Sequence, residues 1–251
     1  MPEPGNLSPA FYARRGGAAS DWWTLLHPPY TLWHLSYVVL GAAMAPHLDR
    51  TALVWSVVAF FLAVGVAAHA FDELQGRPLA TRISDASLQV VGALALAGAC
   101  ALGVAGVFFH GPVNWWLLAS VPVGVVLLVG YNLELFGGRL HSDAVFAWSW
   151  GGFPVAVGFV AQSPEATWSS VSAAALATLA GVGSSYVQRC LSTPARTLRR
   201  RTSEVTGAIR RLDGSVVDLD RSTLLDPLEN ALRALSWVVP AVAAAALVAR
   251  L

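Results

Sequence analysis

Apolar residues in this chain run in blocks rather than alternating or recurring along one helical face. Blocks of roughly 20 residues, long enough to cross about 30 Å of hydrocarbon as helices, stand at 30–47, 51–71, 87–109, 113–133, 144–162, 169–188 and 231–249. The pattern predicts an all-α, polytopic membrane bundle of about seven transmembrane helices, because only helices satisfy the backbone of such segments internally. The first block carries His34 and the last carries Pro240. Between the blocks, 1–29 reads as an interfacial N-terminal arm, 30–191 as a six-helix membrane core, 192–229 as a basic loop, and 230–251 as a C-terminal transmembrane helix. Within that loop, TLRRRTSEVTGAIRRL predicts a basic amphipathic helix and Asp213-Gly214 a turn.

Composition agrees with lipid as the solvent. The chain is 55% hydrophobic and 12% charged over 251 residues, more apolar surface than a soluble core of that length hides. No cleavable signal peptide is expected, since Glu3, Arg14 and Arg15 interrupt the first 20 residues. Cys100 within a span and Cys190 at a span end predict packing or free thiols rather than a disulfide framework. All sixteen basic residues are arginine, and with seven spans fourteen of them fall on the N-terminal side, against Arg50 and Arg250 opposite. The positive-inside rule makes that side cytoplasmic, which suits a bacterial or archaeal inner membrane. Trp115, Trp116 and Trp168 then belong to the outer aromatic belt and Trp22 and Trp23 to the inner one, with His110 interfacial. A net charge of +1 argues against nucleic acid as a partner, and the arginine clusters read as contacts to membrane lipids.

Ionisable groups inside spans cost about 2.5–3.5 kcal/mol each at the membrane centre and normally face a cavity or a partner. His69, Asp72 and Glu73 stand at i, i+3 and i+4, so a helix puts them near one face, where they are candidate catalytic groups and metal ligands. Glu134 (catalytic or metal-ligating) and His141 (metal-ligating) are candidates for a facing set, with Gly137-Gly138 between them breaking the helix. Imidazole with carboxylate suits Fe, Zn or Mn, and carboxylates alone suit Mg²⁺. His34, Tyr37, Tyr131, Asn132, Arg77, Arg82, Trp148, Tyr186 and Arg189 are the candidate substrate-binding residues. The structural alternative pairs Asp72 or Glu73 with Arg77 or Arg82 and ties His69 to a backbone carbonyl.

The order of these elements resembles the UbiA superfamily of intramembrane prenyltransferases. LHPPYTLWHLSYVVLGAAMA is similar to their first helix, AHAFDELQGRPLATRI to their first Asp-rich motif, YNLELFGGRLHSDAVFAWSWGGFPVAVGFVAQ to their helix four to five region, and SSYVQRCLSTPARTL to the place of their second Asp-rich motif. The resemblance implies a helical fold in which two Asp-rich motifs hold Mg²⁺ against a prenyl diphosphate that ionises to an allylic carbocation. Asp72 matches the first-motif aspartate, whereas Ala68 stands in place of Asn and Gly76 in place of Asp. Tyr186 and Cys190 replace the second-motif aspartates, and no carboxylate lies between 166 and 203. Half of a Mg²⁺ cage is thus missing, so either Arg189, Arg196 and the Arg199 to Arg201 cluster grip the phosphate in place of a metal or diphosphate is not the substrate.

The leading expectation is an intramembrane enzyme acting on an isoprenoid or other lipid-soluble substrate at a His/carboxylate site with a divalent metal. The alternatives are a prenyl-diphosphate transferase or terpene cyclase using Asp72, Glu73, Mg²⁺ and arginines, and a non-catalytic lipid- or quinone-binding or transport protein. A CDP-alcohol type head-group transferase lacks its downstream G-x-x-x-D-x-x-x-D.

Overall fold

The protein is described here by a computed structural model covering residues 8–14, 16–109, 112–162 and 165–251; Glu3, Arg15 and His110 lie outside the described residues. The helices are α1 (Ala18–Leu25), α2 (Pro28–Ala43), α3 (Arg50–Leu74), α4 (Asp85–Gly106), α5 (Trp115–Asn132), α6 (Asp143–Val160), α7 (Trp168–Arg200) and α8 (Arg221–Val248). The six from α3 to α8 are long and apolar enough to cross a membrane by length and composition. Each of those six opens on a side-chain cap, with Asp49, Ser84, Asn114, Ser142, Thr167 and Asp220 accepting from amides two or three residues on. Such caps are worth about 1 kcal/mol apiece, and they begin each helix where the polar letters stop.

The first apolar block behaves differently. α2 has 16 residues, about 24 Å at 1.5 Å per residue, and it packs against α3, α6, α7 and α8. Trp33, Tyr37 and Val38 are fully buried in that contact. Backbones meet closely where α2 crosses α6: a Cβ at Gly41 would lie 1.9 Å from the Val155 carbonyl oxygen, and one at Gly158 would lie 2.2 Å from that of Val38. Small residues at such crossings replace the hydrophobic drive that lipid removes.

At one end of the bundle, α7 runs about a dozen residues past its apolar block and α8 starts about ten before its own. These polar extensions pack through Ala195, Leu225 and Leu232 and are joined by a bidentate Arg199–Glu229 ion pair in which both side chains are largely buried. The amphipathic helix expected over 197–212 is not formed. Residues 197–200 finish α7, and the chain then makes a hairpin of β1 (Ala208–Arg210) and β2 (Val216–Asp218), paired antiparallel with Ile209 opposite Val217. The helix ends at Arg200, well before Gly207, and the expected Asp213-Gly214 turn, with Gly214 at φ +84° and Asp213 Oδ1 accepting from Ser215 N at 2.9 Å, folds the strands together. At the other end Arg250 donates to the carbonyls of Ala45 and Pro46.

Candidate functional site

A polar chamber of about 360 Å³ opens at the arginine-rich end, walled by α2, α3, α5, α6, α7 and the arm that precedes α1. Of the sequence candidates, His34, His69, Asp72, Tyr131, Asn132, Glu134, His141 and Arg189 line it. Side chains from α2, α3, α5 and α7 and from the α5–α6 loop therefore share one void, as polar groups in apolar segments require.

Three of its histidines are oriented in one way. His34 Nδ1 lies 3.0 Å from the Trp150 carbonyl, His69 Nδ1 lies 3.1 Å from that of Gly65, and His141 Nδ1 lies 3.1 Å from that of Tyr131. A carbonyl only accepts, so each Nδ1 carries a hydrogen, and the neutral tautomer compatible with these contacts has its lone pair on Nε2. Two of these bonds are tied to π-helical turns, Phe61–Ala68 in α3 and Ala147–Gly152 in α6. Such turns shift the side-chain register locally and recur at functional sites. Phe146, Trp150 and Tyr131 form an aromatic wall, with Phe146 stacked on Trp150 at 5.7 Å and Tyr131 stacked on His141 at 4.4 Å.

Charge in the chamber is unevenly paired. Arg189 pairs with Asp143 at 2.8 Å and Arg199 with Glu229. Arg196 and Arg200 make no ion pair among the described residues: Arg196 reaches Thr193 Oγ1 at 3.4 Å, and Arg200 Nε donates to the Pro9 carbonyl at 2.9 Å. Asp72, on α3, faces the same space without a side-chain hydrogen bond among the described residues. Gln188 adds a buried Oε1 that lacks a partner there. Two guanidiniums without carboxylates in a semi-enclosed site make a strong anion-binding arrangement.

Other candidates go elsewhere. Glu73 is fully buried but turns away into the α3–α4 loop, where Oε2 accepts from Leu79 N at 2.9 Å and Oε1 accepts from Thr81 N at 2.9 Å and from Thr81 Oγ1 at 2.8 Å. It lies 100° around the helix from Asp72 and staples a loop; the catalytic and metal-ligand roles expected of it do not fit this geometry. Arg77 donates to the Ile83 carbonyl at 2.5 Å and pairs with Asp85, while Arg82 pairs with Asp21 at 3.0 Å, so both brace the loop outside the chamber. Tyr37 accepts from Trp33 Nε1 at 2.6 Å and from Ser185 Oγ at 3.2 Å inside the α2–α7 core. Trp148 and Tyr186, half exposed, face out of the bundle. Glu134 stays at the chamber rim, 3.9 Å from His141 Nδ1 and more than half exposed. Among the described residues no three His, Cys, Asp or Glu side chains come close enough to hold one metal ion together.

Arg196 and Arg200, two of the arginines weighed as phosphate-gripping groups, line the chamber, whereas sequence reasoning missed Tyr12 and His27 as lining residues. His27 adopts a left-handed backbone, φ +46°, between α1 and the Pro28-Pro29 start of α2. Its ring stacks on His69 at 4.2 Å, its Nδ1 is 2.7 Å from Tyr12 Oη, and its Nε2 is buried without a partner among the described residues. Burial, followed by the charges of His69, Arg200 and Arg196, holds the His27 imidazolium well below its ordinary range, and burial pushes the Tyr12 phenol well up. Both groups are neutral near pH 7.

No family model, curated protein or solved structure matches the chain.

Proposed function

We propose that the protein is an intramembrane enzyme of UbiA-like fold that acts on an isoprenoid or other lipid-soluble substrate carrying a phosphate or diphosphate head, with the arginine-rich end and the N-terminus on the cytoplasmic side of an inner membrane. The observation that carries this reading is the presence, in one chamber, of Arg196 and Arg200 without ion pairs and Asp72 without a side-chain hydrogen bond among the described residues. Prenyl-diphosphate chemistry fits that charge pattern better than a tight His/carboxylate metal centre does, because among the described residues no three such donors come together. Asp72 can hold a divalent ion only jointly with phosphate oxygens of a bound substrate, and the guanidiniums supply the charge compensation.

In this reading Arg196 and Arg200 bind the head and stabilise the charge that builds on it as the allylic C–O bond breaks, the electron pair leaving with diphosphate. The aromatic wall of Phe146, Trp150 and Tyr131 faces the cation. Asp72 stabilises it electrostatically, and the Nε2 lone pair of His69 or His34 takes the proton lost when the cation is captured by an acceptor or closes on itself. A second, apolar cavity of about 120 Å³ between α3, α4, α5 and α6 shares Trp150 with the chamber and offers room for hydrocarbon.

The test is incubation of purified protein in detergent with radiolabelled farnesyl or geranylgeranyl diphosphate, with and without Mg²⁺, scoring released diphosphate. Turnover in the wild type that falls about 100-fold or more in Arg196→Gln and Asp72→Asn is the expected result. Lipid bound and recovered unchanged favours a binding protein, and no binding at all overturns the reading.

A further inference from the structure

The arm before α1 occupies Arg200 and the one terminal nitrogen of Arg199 that its pairing with Glu229 leaves over. Arg199 Nη1 donates to the Ser8 carbonyl at 3.1 Å and Arg200 Nε donates to the Pro9 carbonyl at 2.9 Å. Pro9, Ala10, Phe11 and Tyr12 then form one wall of the chamber. Beyond them Tyr12 reaches His27 at 2.7 Å, and Phe11 lies edge-on to Tyr30 at 6.0 Å and under the Arg233 guanidinium.

This clasp is poorly matched on both sides. Arg200, which lacks a carboxylate among the described residues, is given a neutral carbonyl, although guanidinium bonds to anionic oxygen are roughly twice as strong. His27 is held in a left-handed backbone with Nε2 lacking a partner among the described residues, two costs that the surrounding contacts sustain. Two carbonyl oxygens from adjacent residues, each accepting from its own arginine, supply the kind of oxygen acceptor that an anionic phosphate supplies more strongly.

We propose that residues 8–12 are a pseudo-ligand: their Ser8 and Pro9 carbonyls fill a phosphate-oxygen subsite made by Arg199 and Arg200, and the anionic head of the substrate displaces them, freeing the arm. The inference rests on the anion-binding reading above and adds an autoinhibitory contact to it. In the resting chain the arm closes the chamber over Asp72, His69 and Arg196. A phosphate-bearing lipid exchanges two neutral acceptors for charged ones and swings the arm out. A neutral lipid lacks the means to do so, which selects for charged heads before any chemistry starts.

The experiment uses full-length chain with Ser8→Cys in a Cys100→Ala, Cys190→Ser background, and a second full-length chain that adds Phe11→Ala and Tyr12→Ala to loosen the arm. The rate of labelling at position 8 by a hydrophilic maleimide and the affinity for ligand are measured with inorganic diphosphate and, separately, with farnesyl diphosphate in micelles. Saturating ligand is expected to raise labelling of the first chain about tenfold, and the loosened chain is expected to label fast without ligand and to bind about tenfold tighter. A response to both ligands identifies the head alone as sufficient, and a response to farnesyl diphosphate only identifies a lipid-borne head; either supports the proposal. Ligand bound with equal affinity by both chains and with no change in labelling overturns the pseudo-ligand while leaving the anion site intact. Absence of binding by both chains to either ligand overturns the two together.

Discussion

Glu73 and Asp72 are adjacent carboxylates with opposite assignments, so replacing each by its amide separates architecture from chemistry. In Glu73→Gln the oxygen that replaces Oε1 keeps its bonds from Thr81 N and Thr81 Oγ1, while the new NH₂ faces the Leu79 amide, donor against donor. Hydrogen bonds to a buried charged group are worth about 1.5–3 kcal/mol each and neutral ones about 1, and a buried donor left unmet costs about 1–3. One bond lost and two weakened, offset by a carboxylate no longer held away from water, leave a destabilisation of about 2–4 kcal/mol. For a chain of this size that corresponds to a fall of about 5–10 °C in the thermal midpoint. Tryptophan fluorescence of the purified protein during heating at a fixed scan rate reads it, with diphosphate release per folded molecule measured beside it. Glu73→Gln is expected to unfold early yet retain release within about threefold, whereas Asp72→Asn keeps the wild-type midpoint within about 2 °C and loses release. A Glu73→Gln chain as stable as the wild type but inactive would refute the assignment of Glu73 to the loop.

Gly158→Ala would place a Cβ 2.2 Å from the Val38 carbonyl, so it should separate α2 from α6 and cost about 2 kcal/mol or more, read as loss of the monodisperse peak in size-exclusion chromatography. His27 is buried neutral, so the unfolded chain binds more protons than the native one below its ordinary value near 6.5, and stability from this group is complete above that pH and is lost as pH falls toward 5. Thermal midpoints measured between pH 7.5 and 5 should show that loss, and His27→Asn, which tolerates a positive φ without titrating, should reduce it. Asp220→Ala should cost about 1 kcal/mol by removing the cap of α8 from Thr223 N, a change visible in the same melting assay.

Hydropathy blocks located the six long helices, because the length of an apolar run measures the hydrocarbon it must cross. They did not locate helix ends. α7 continues to Arg200, and its buried stripe of Ser185, Gln188, Ser192 and Ala195 keeps three- and four-residue spacing through the polar region. That small-and-polar periodicity was the available signal for the arginine face, and it is weaker than the charge that makes the same segment look like a lipid-binding loop. His34, His69 and Asp72 were legible as chamber residues because each is a polar group in an otherwise apolar stretch. Glu73 was not separable from Asp72 by spacing, since the loop amides that claim it come from residues 79 and 81, and a local helix pattern says nothing of what a following loop returns to. His27 and Tyr12 lay in a segment whose Pro, Gly and charge content reads as interfacial, and only the closure of the arm brings them inward. The hairpin was hidden because TSEVTGAIRRL satisfies a helical charge pattern and a β-branched strand pattern together, and the turn at Asp213-Gly214 decides between them.

Whether the chamber holds a prenyl diphosphate is read by photocrosslinking with a farnesyl diphosphate analogue bearing a diazirine near its head, followed by peptide mapping. Adducts are expected on residues facing the chamber, around His34 on α2, His69 to Asp72 on α3, Trp150 on α6 and Ser192 to Arg196 on α7, all suppressed by excess unlabelled farnesyl diphosphate. Adducts confined to exposed outward positions such as Val54, Leu94 or Val242, unaffected by competitor, would contradict binding in the chamber.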